Sequence, residues 1–206
     1  LAKKYLNKGL AIEPQNLNLL LIKGCLLFQI NNTDEAINTF EKTLELDPDN
    51  VEIKNIMALC LAKAGKTSTA IRLMSEVLRK KSTARYYNNM AMINAMVDSL
   101  GNKTENFTCG YYETALQYLD SAFSNGLDPV FRVNEANVFL LMHDTLLAQS
   151  KYLEMNNQFS LNNIAAIDFW NSEYYSAENN IKKAIELGGN NVCPYIKENE
   201  VCINQR

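Results

Sequence analysis

The sequence predicts an all-α chain in which helix–turn–helix units stack into a solenoid. Three observations carry that prediction. First, residues recur at a step of 34: Ala58 and Ala70 follow Gly24 and Ala36, while Ala2, Leu6, Gly9 and Pro14 precede Ala36, Phe40, Thr43 and Pro48. Second, small residues recur 12 apart within a unit, as in Gly24–Ala36, Ala136–Ala148 and Ala165–Ala177. Third, 206 residues carry only 8 Gly and 4 Pro at 47% hydrophobic content, which suits packed helices and not a loop-rich β protein or a disordered chain.

The stretch Leu17–Asn50 is the clearest unit. Leu20, Gly24 and Leu27 fall on one helical face, Ala36 and Phe40 on a second. Asn32 with Glu35 three residues on reads as a helix start, the Asn oxygen taking a backbone N–H while the Glu reaches back. Asp47-Pro48-Asp49 closes the unit, because proline cannot continue a helix.

This unit resembles the tetratricopeptide repeat, a 34-residue helix pair with small residues where the helices touch. Leu20 stands where tryptophan is usual and Lys23 where leucine is usual. The resemblance implies a right-handed α-α superhelix of about five to six repeats, with first helices lining the concave side.

In chain order, residues 1–16 read as the second helix of a truncated repeat. Repeats follow at 17–50, 51–83, 84–129, 130–157 and 158–191, all within one solenoid domain spanning 1–206. Gly65 marks a turn, and Asp128-Pro129 closes the helix Tyr111–Ser124. Ala91 and Ala115 lie 24 apart, so 12 extra residues form a polar, glycine-flanked loop near 100–112. Residues 192–206 read as an end segment, with a helix over 192–204 covering the last repeat.

Little here points to chemistry. No metal spacing, phosphate loop or nucleophile elbow occurs, so no cofactor, metal or catalytic residue is expected. His143, the one histidine, falls in a turn of the fifth repeat. Net charge is −3, and the one basic cluster, Arg79-Lys80-Lys81, sits at a helix end where cations offset the dipole, so nucleic acid is not expected. No run of about twenty apolar residues exists to span a membrane. The chain opens on Leu1 inside a repeat, which leaves open a leader or anchor ahead of it. A cytoplasmic and a bacterial periplasmic or lipoprotein location both stay open.

Cys25 and Cys60 read as packed free thiols. Cys109, Cys193 and Cys202 lie in the loop and near the C-terminus, and a Cys193–Cys202 disulfide is one of two open readings. The sequons at Asn31, Asn102 and Asn106 read as coincidence in an asparagine-rich chain. The pairs Tyr86-Tyr87, Tyr111-Tyr112, Phe169-Trp170 and Tyr174-Tyr175 are expected to pack one ring inward and point the other out.

In chaperone-binding relatives, lysines and asparagines of successive first helices clamp a carboxylate. The matching places here are Leu21, Cys25, Asn55, Leu59, Asn88, Met92, Val133, Asn137, Asn162 and Ala166, without lysine or arginine. Together with the neighbouring Asn89, Asn134 and Asn163, they describe an apolar groove dotted with amides. The resemblance thus implies a non-catalytic scaffold whose groove, at Asn55, Leu59, Asn88, Asn89, Met92, Val133, Asn134, Asn137, Asn162 and Asn163, takes a peptide or helix of a partner protein. Two alternatives are an accessory subunit of an assembly, envelope-associated in one version, that uses its convex face or ends, and a regulatory arm of an enzyme.

Overall fold

Short polar side chains start most helices. Asn16 Oδ1 accepts from Leu19 N at 3.1 Å, Asn50 Oδ1 from Ile53 N at 3.1 Å, and Asp144 Oδ1 from Leu147 N at 3.0 Å. Asn157 caps both Phe159 N and Ser160 N, and Ser160 Oγ accepts from Asn157 N in return. Each cap satisfies backbone donors that the first helical turn leaves open.

The computed structural model describes residues 2–99, 110–126 and 128–188, and every regular element among them is a helix. They are α1 (Ala2–Ile12), α2 (Leu17–Gln29), α3 (Thr33–Leu46), α4 (Val51–Lys63), α5 (Thr67–Lys80) and α6 (Ala84–Ser99). Then come α7 (Gly110–Asn125), α8 (Pro129–Leu141), α9 (Thr145–Met155), α10 (Gln158–Trp170) and α11 (Tyr174–Gly188). The helices group into two compact units, Leu1–Gly126 and Leu127–Arg206.

In the first unit each helix packs on the next, and first helices of successive repeats also touch, α2 on α4 and α4 on α6. The core holds Ile37, Phe40, Ile53, Met74, Val77, Met90 and Ile93. In the second unit α8 packs on α9, α9 on α10 and α10 on α11. Its core gathers Ala136, Ala148, Tyr152, Ile164 and Ile167. The small residues that set the spacing, Gly24, Ala36, Ala58, Ala70, Ala91, Ala115, Ala136 and Ala148, are all buried. The all-α repeat fold expected from them is the fold observed.

Several local expectations change. Asn32 does not cap a backbone N–H; its Nδ2 instead donates to Glu35 Oε2 at 2.8 Å. Asp128-Pro129 opens a helix and closes none: α7 ends at Asn125, Asp128 Oδ1 accepts from Val130 N at 2.9 Å, and Pro129 sits in the first turn, where its missing N–H costs nothing. The loop placed near 100–112 is shorter at its end, because α7 begins at Gly110. Residues 100–109, Cys109, Cys193, Cys202 and the end helix expected at 192–204 lie outside the described residues. The turns inside four repeats each place one residue in the left-handed region: Asn31 (φ 61°), Gly65 (φ 77°), His143 (φ 62°) and Ser172 (φ 64°). His143 is therefore a turn residue at an equivalent place in its repeat.

The paired-ring expectation is met at Tyr111-Tyr112, met in part at Tyr86-Tyr87, and fails at the other two pairs. Tyr86 and Tyr112 are buried while Tyr111 is exposed and Tyr87 half-buried against Tyr118. Phe169, Trp170, Tyr174 and Tyr175 are all exposed. Both of those pairs flank the α10–α11 turn, beyond the crossing of Ala165 and Ala177, and Phe169 packs edge-on against Tyr174 at 5.5 Å.

Polar contacts also link successive repeats. Arg85 of α6 holds Glu52 of α4 with two bonds, 2.8 and 2.5 Å, and Tyr86 donates to the same carboxylate at 3.1 Å. The Arg85 hydrogen bond, opposed by partial burial, keeps the Glu52 carboxyl below its ordinary 4.5. A carboxyl lowered on folding adds stability above the unfolded value and loses it as pH falls through the folded one. Melting temperature followed from pH 7 to 3 should therefore fall more steeply below pH 4.5 for the native chain than for Glu52→Gln. Parallel curves would mean that the pair is screened by solvent.

Candidate partner-binding groove

α8 and α10 are first helices of consecutive repeats, and each turns one stripe to the same side. On α8 the stripe is Val130, Val133, Asn137 and Leu140; on α10 it is Phe159, Asn162, Asn163, Ala166 and Trp170. The spacing of three, four and seven puts these residues on one helical face. Between the stripes lies a groove of about 540 Å³ with Tyr152 of α9 at its floor. Val130, Phe159 and Trp170 stay 53%, 63% and 55% exposed, so the rim is apolar and wet. A second depression, about 500 Å³, shares Val130, Val133 and Phe159 and reaches Leu187.

Tyr152 is fully buried, and its hydroxyl donates to Asn137 Oδ1. Burial pushes its phenol up to about 12, with a hydrogen bond from the Asn163 amide opposing the rise. On α8, Glu135 takes both Arg132 at 2.9 Å and Lys151 at 3.2 Å.

Of the residues predicted from sequence, Val133, Asn137, Asn162 and Asn163 meet in this groove. Asn134, half-buried, is one position along α8 and off the lining. Asn55, Leu59, Asn88, Asn89 and Met92 belong to the first unit. There, Asn55 and Asn88 are buried, Leu59 packs on the core, and Asn89 Nδ2 donates to Asn55 Oδ1 at 2.8 Å. That amide pair, 34 residues apart, is a rung between repeats, and it leaves the Asn55 oxygen already engaged. Cys25 and Cys60 remain free thiols, Cys60 raised to about 12 by burial, which keeps it protonated and inert.

Sequence reasoning missed Val130, Leu140, Phe159 and Trp170 as lining. Continuing the α10 register from Asn162 and Ala166 by one turn each way reaches Phe159 and Trp170. Among the described residues no cluster could hold a metal ion, and no helix is long and apolar enough to cross a membrane.

The tetratricopeptide-repeat family model matches residues 27–93. The fold is similar to that of TTC0263, a tetratricopeptide protein of Thermus thermophilus, at 17% identity, a TM-score of 0.71, and coverage of 85% of this chain and 93% of that one. A tetratricopeptide protein of Parabacteroides merdae gives 16% identity and a TM-score of 0.72 over 90% of this chain and 71% of that one. YrrB, described as a TPR protein with an unusual peptide-binding site, gives 14% identity and a TM-score of 0.50 over 90% and 93%. No curated protein matches the sequence. The tetratricopeptide-repeat model is matched at 27–93, and the helix-pair fold that runs through both units is the fold of tetratricopeptide-repeat proteins.

Proposed function

We propose that this chain is a non-catalytic scaffold whose second unit takes an apolar segment of a partner protein between α8 and α10. The tetratricopeptide fold is in general a protein-interaction scaffold. The observation that carries the narrower reading is the exposed rim of Val130, Phe159 and Trp170 over a groove of about 540 Å³. Large apolar side chains left in water at a concave site mark a place where a partner gains by covering them. YrrB, with its unusual peptide-binding site, is a precedent for a peptide site on this fold. No lysine or arginine lines the groove, so capture of a free carboxylate has no support here, and binding should depend weakly on salt.

A second reading has its own observation. Leu146 and Leu153 of α9 are 79% and 58% exposed and seven apart, hence on one face away from the groove. That face favours an assembly subunit docked by its outer side.

One experiment separates the two. Partners captured on the tagged native chain are titrated against Phe159→Ala/Trp170→Ala and against Leu146→Ser/Leu153→Ser. The groove reading expects at least about tenfold weaker binding for the first pair, roughly 1.4 kcal/mol, with little change in melting temperature because both rings are exposed. Loss in the second pair alone would move the partner to α9.

A further inference from the structure

The first unit has a depression of its own, about 380 Å³, where α1, α2 and α3 meet. Leu20 and Lys23 face it from α2, and Glu35, Asn38, Thr39 and Lys42 from α3. Leu10 of α1 and Pro14 of the turn after it complete the wall. Leu21 and Cys25, the α2 places that the repeat register puts on the concave side, are not part of it.

Its polar groups are unevenly used. Lys23 stands 4.0 Å from Glu35, and Glu35 also takes the Asn32 amide at 2.8 Å. The Thr39 hydroxyl donates to Glu35 O at 2.7 Å. Lys42 and the Asn38 amide have no ion-pair or hydrogen-bond partner among the described residues. They stand one turn apart on one face of α3, so an ammonium and an amide N–H can reach the same anion. Both residues are exposed, so pairing strips little water from them, and a carboxylate gives each a charge-assisted bond.

The rest of the wall restricts the ligand. Leu10 and Leu20 are half-buried and gain when a hydrocarbon body covers what remains in water. Glu35 lies seven positions from Lys42 on α3, about 10 Å at 1.5 Å per residue, so a second carboxylate reaching that way is repelled. A volume of about 380 Å³ is near the lower end for ligand sites, which limits the body to a short one.

We infer that this depression binds a small free monocarboxylic acid, its carboxylate on Lys42 and Asn38 and its short hydrocarbon body against Leu10, Pro14 and Leu20. The site is independent of the groove between α8 and α10 and adds a small-molecule ligand to the scaffold reading.

The probes are sodium hexanoate, hexanamide and adipate, added to the full chain labelled with nitrogen-15. Hexanoate should shift amide resonances of α1–α3 and saturate, binding about tenfold or more tightly than hexanamide, the worth of one charge-assisted hydrogen bond. Adipate should bind more weakly than hexanoate, because its second carboxylate meets Glu35. Lys42→Met keeps the stem and removes the charge. It should lower hexanoate affinity about tenfold and leave the melting temperature unchanged, since Lys42 is exposed. Lys183→Met, at an exposed lysine of α11, is the control and should change nothing. Equal affinity for acetate and hexanoate, or loss of the shifts at about 0.15 M salt, would mean that Lys42 is a surface charge only and overturns the inference. So does equal binding of acid and amide, or undiminished binding by Lys42→Met. Acetylated peptides ending in a free leucine carboxylate supply the last arm. If they bind about tenfold or more tightly than hexanoate, the site takes a chain end and the free-acid inference falls.

Discussion

Asp168→Ala should cost the second unit about 3–5 kcal/mol, a large share of the stability of a small unit. The carboxylate is fully buried. Its Oδ1 accepts from Gln149 Nε2 of α9 at 2.7 Å, and its Oδ2 from Ser176 Oγ and Asn180 Nδ2 of α11 at 2.7 and 2.9 Å. One side chain thus ties α10 to both of its neighbours. Truncation strands three donors where water enters poorly, and each stranded donor costs about 1–3 kcal/mol before relaxation. Asp168→Asn keeps the shape and one acceptor but turns an N–H toward donors, so about 1–3 kcal/mol is expected. Repeat arrays unfold in parts, so a single melting curve can hide the loss. Hydrogen exchange resolved by helix is the fitting measurement. Faster exchange should centre on α9, α10 and α11, with α2–α5 unchanged. Native-like protection in the alanine variant would mean that water has taken over the three donors.

Asp168 also shows where the sequence stops being legible. Its partners lie 19, 8 and 12 residues away on two other helices; Asn180 alone stands at the twelve-residue spacing of a helix pair, and no repeat spacing reaches Gln149 or Ser176. In the run Leu161–Trp170 nothing in the sequence sets it apart as a tie between helices. The spacing of small residues was legible because it reflects a local rule: two helices cross closely only where side chains are small, and the rule repeats with the unit. That rule placed the helix pairs α2–α5, while the shared side of Asn137, Asn162 and Asn163 followed from the register of the family the repeats resemble. The exposure of Phe159 and Trp170 was not legible, since an aromatic residue at helical spacing looks the same whether a further helix covers it or not. Pro129 was misread for a related reason. Proline ends one helix and starts another with equal ease, and only the cap at Asp128 tells which.

Phe40→Ala should cost the first unit about 3–5 kcal/mol, the usual range for emptying a buried phenylalanine site. The ring is fully buried in α3 and lies against Gly24 of α2. The contact is so close that a Cβ built on Gly24 would stand 2.5 Å from Phe40 Cζ and closer still to Cε1. A rigid ring cannot yield as a flexible chain end does, so Gly24→Ala alone should cost about 1–3 kcal/mol by overpacking. The double variant tests whether the two effects are one contact. In it the new methyl enters space that the ring has left, so the cost should fall short of the sum by about 0.5–3 kcal/mol. Hydrogen exchange over α2 and α3, combined with urea denaturation, supplies the cycle. Additivity within about 0.5 kcal/mol would mean that Gly24 and Phe40 act separately and that helix approach in this repeat is set elsewhere. A clear shortfall would establish that the glycine is there because the phenylalanine is. On that account the twelve-residue spacing from Gly24 to Ala36 marks a crossing whose tightness is completed by the ring one turn beyond Ala36.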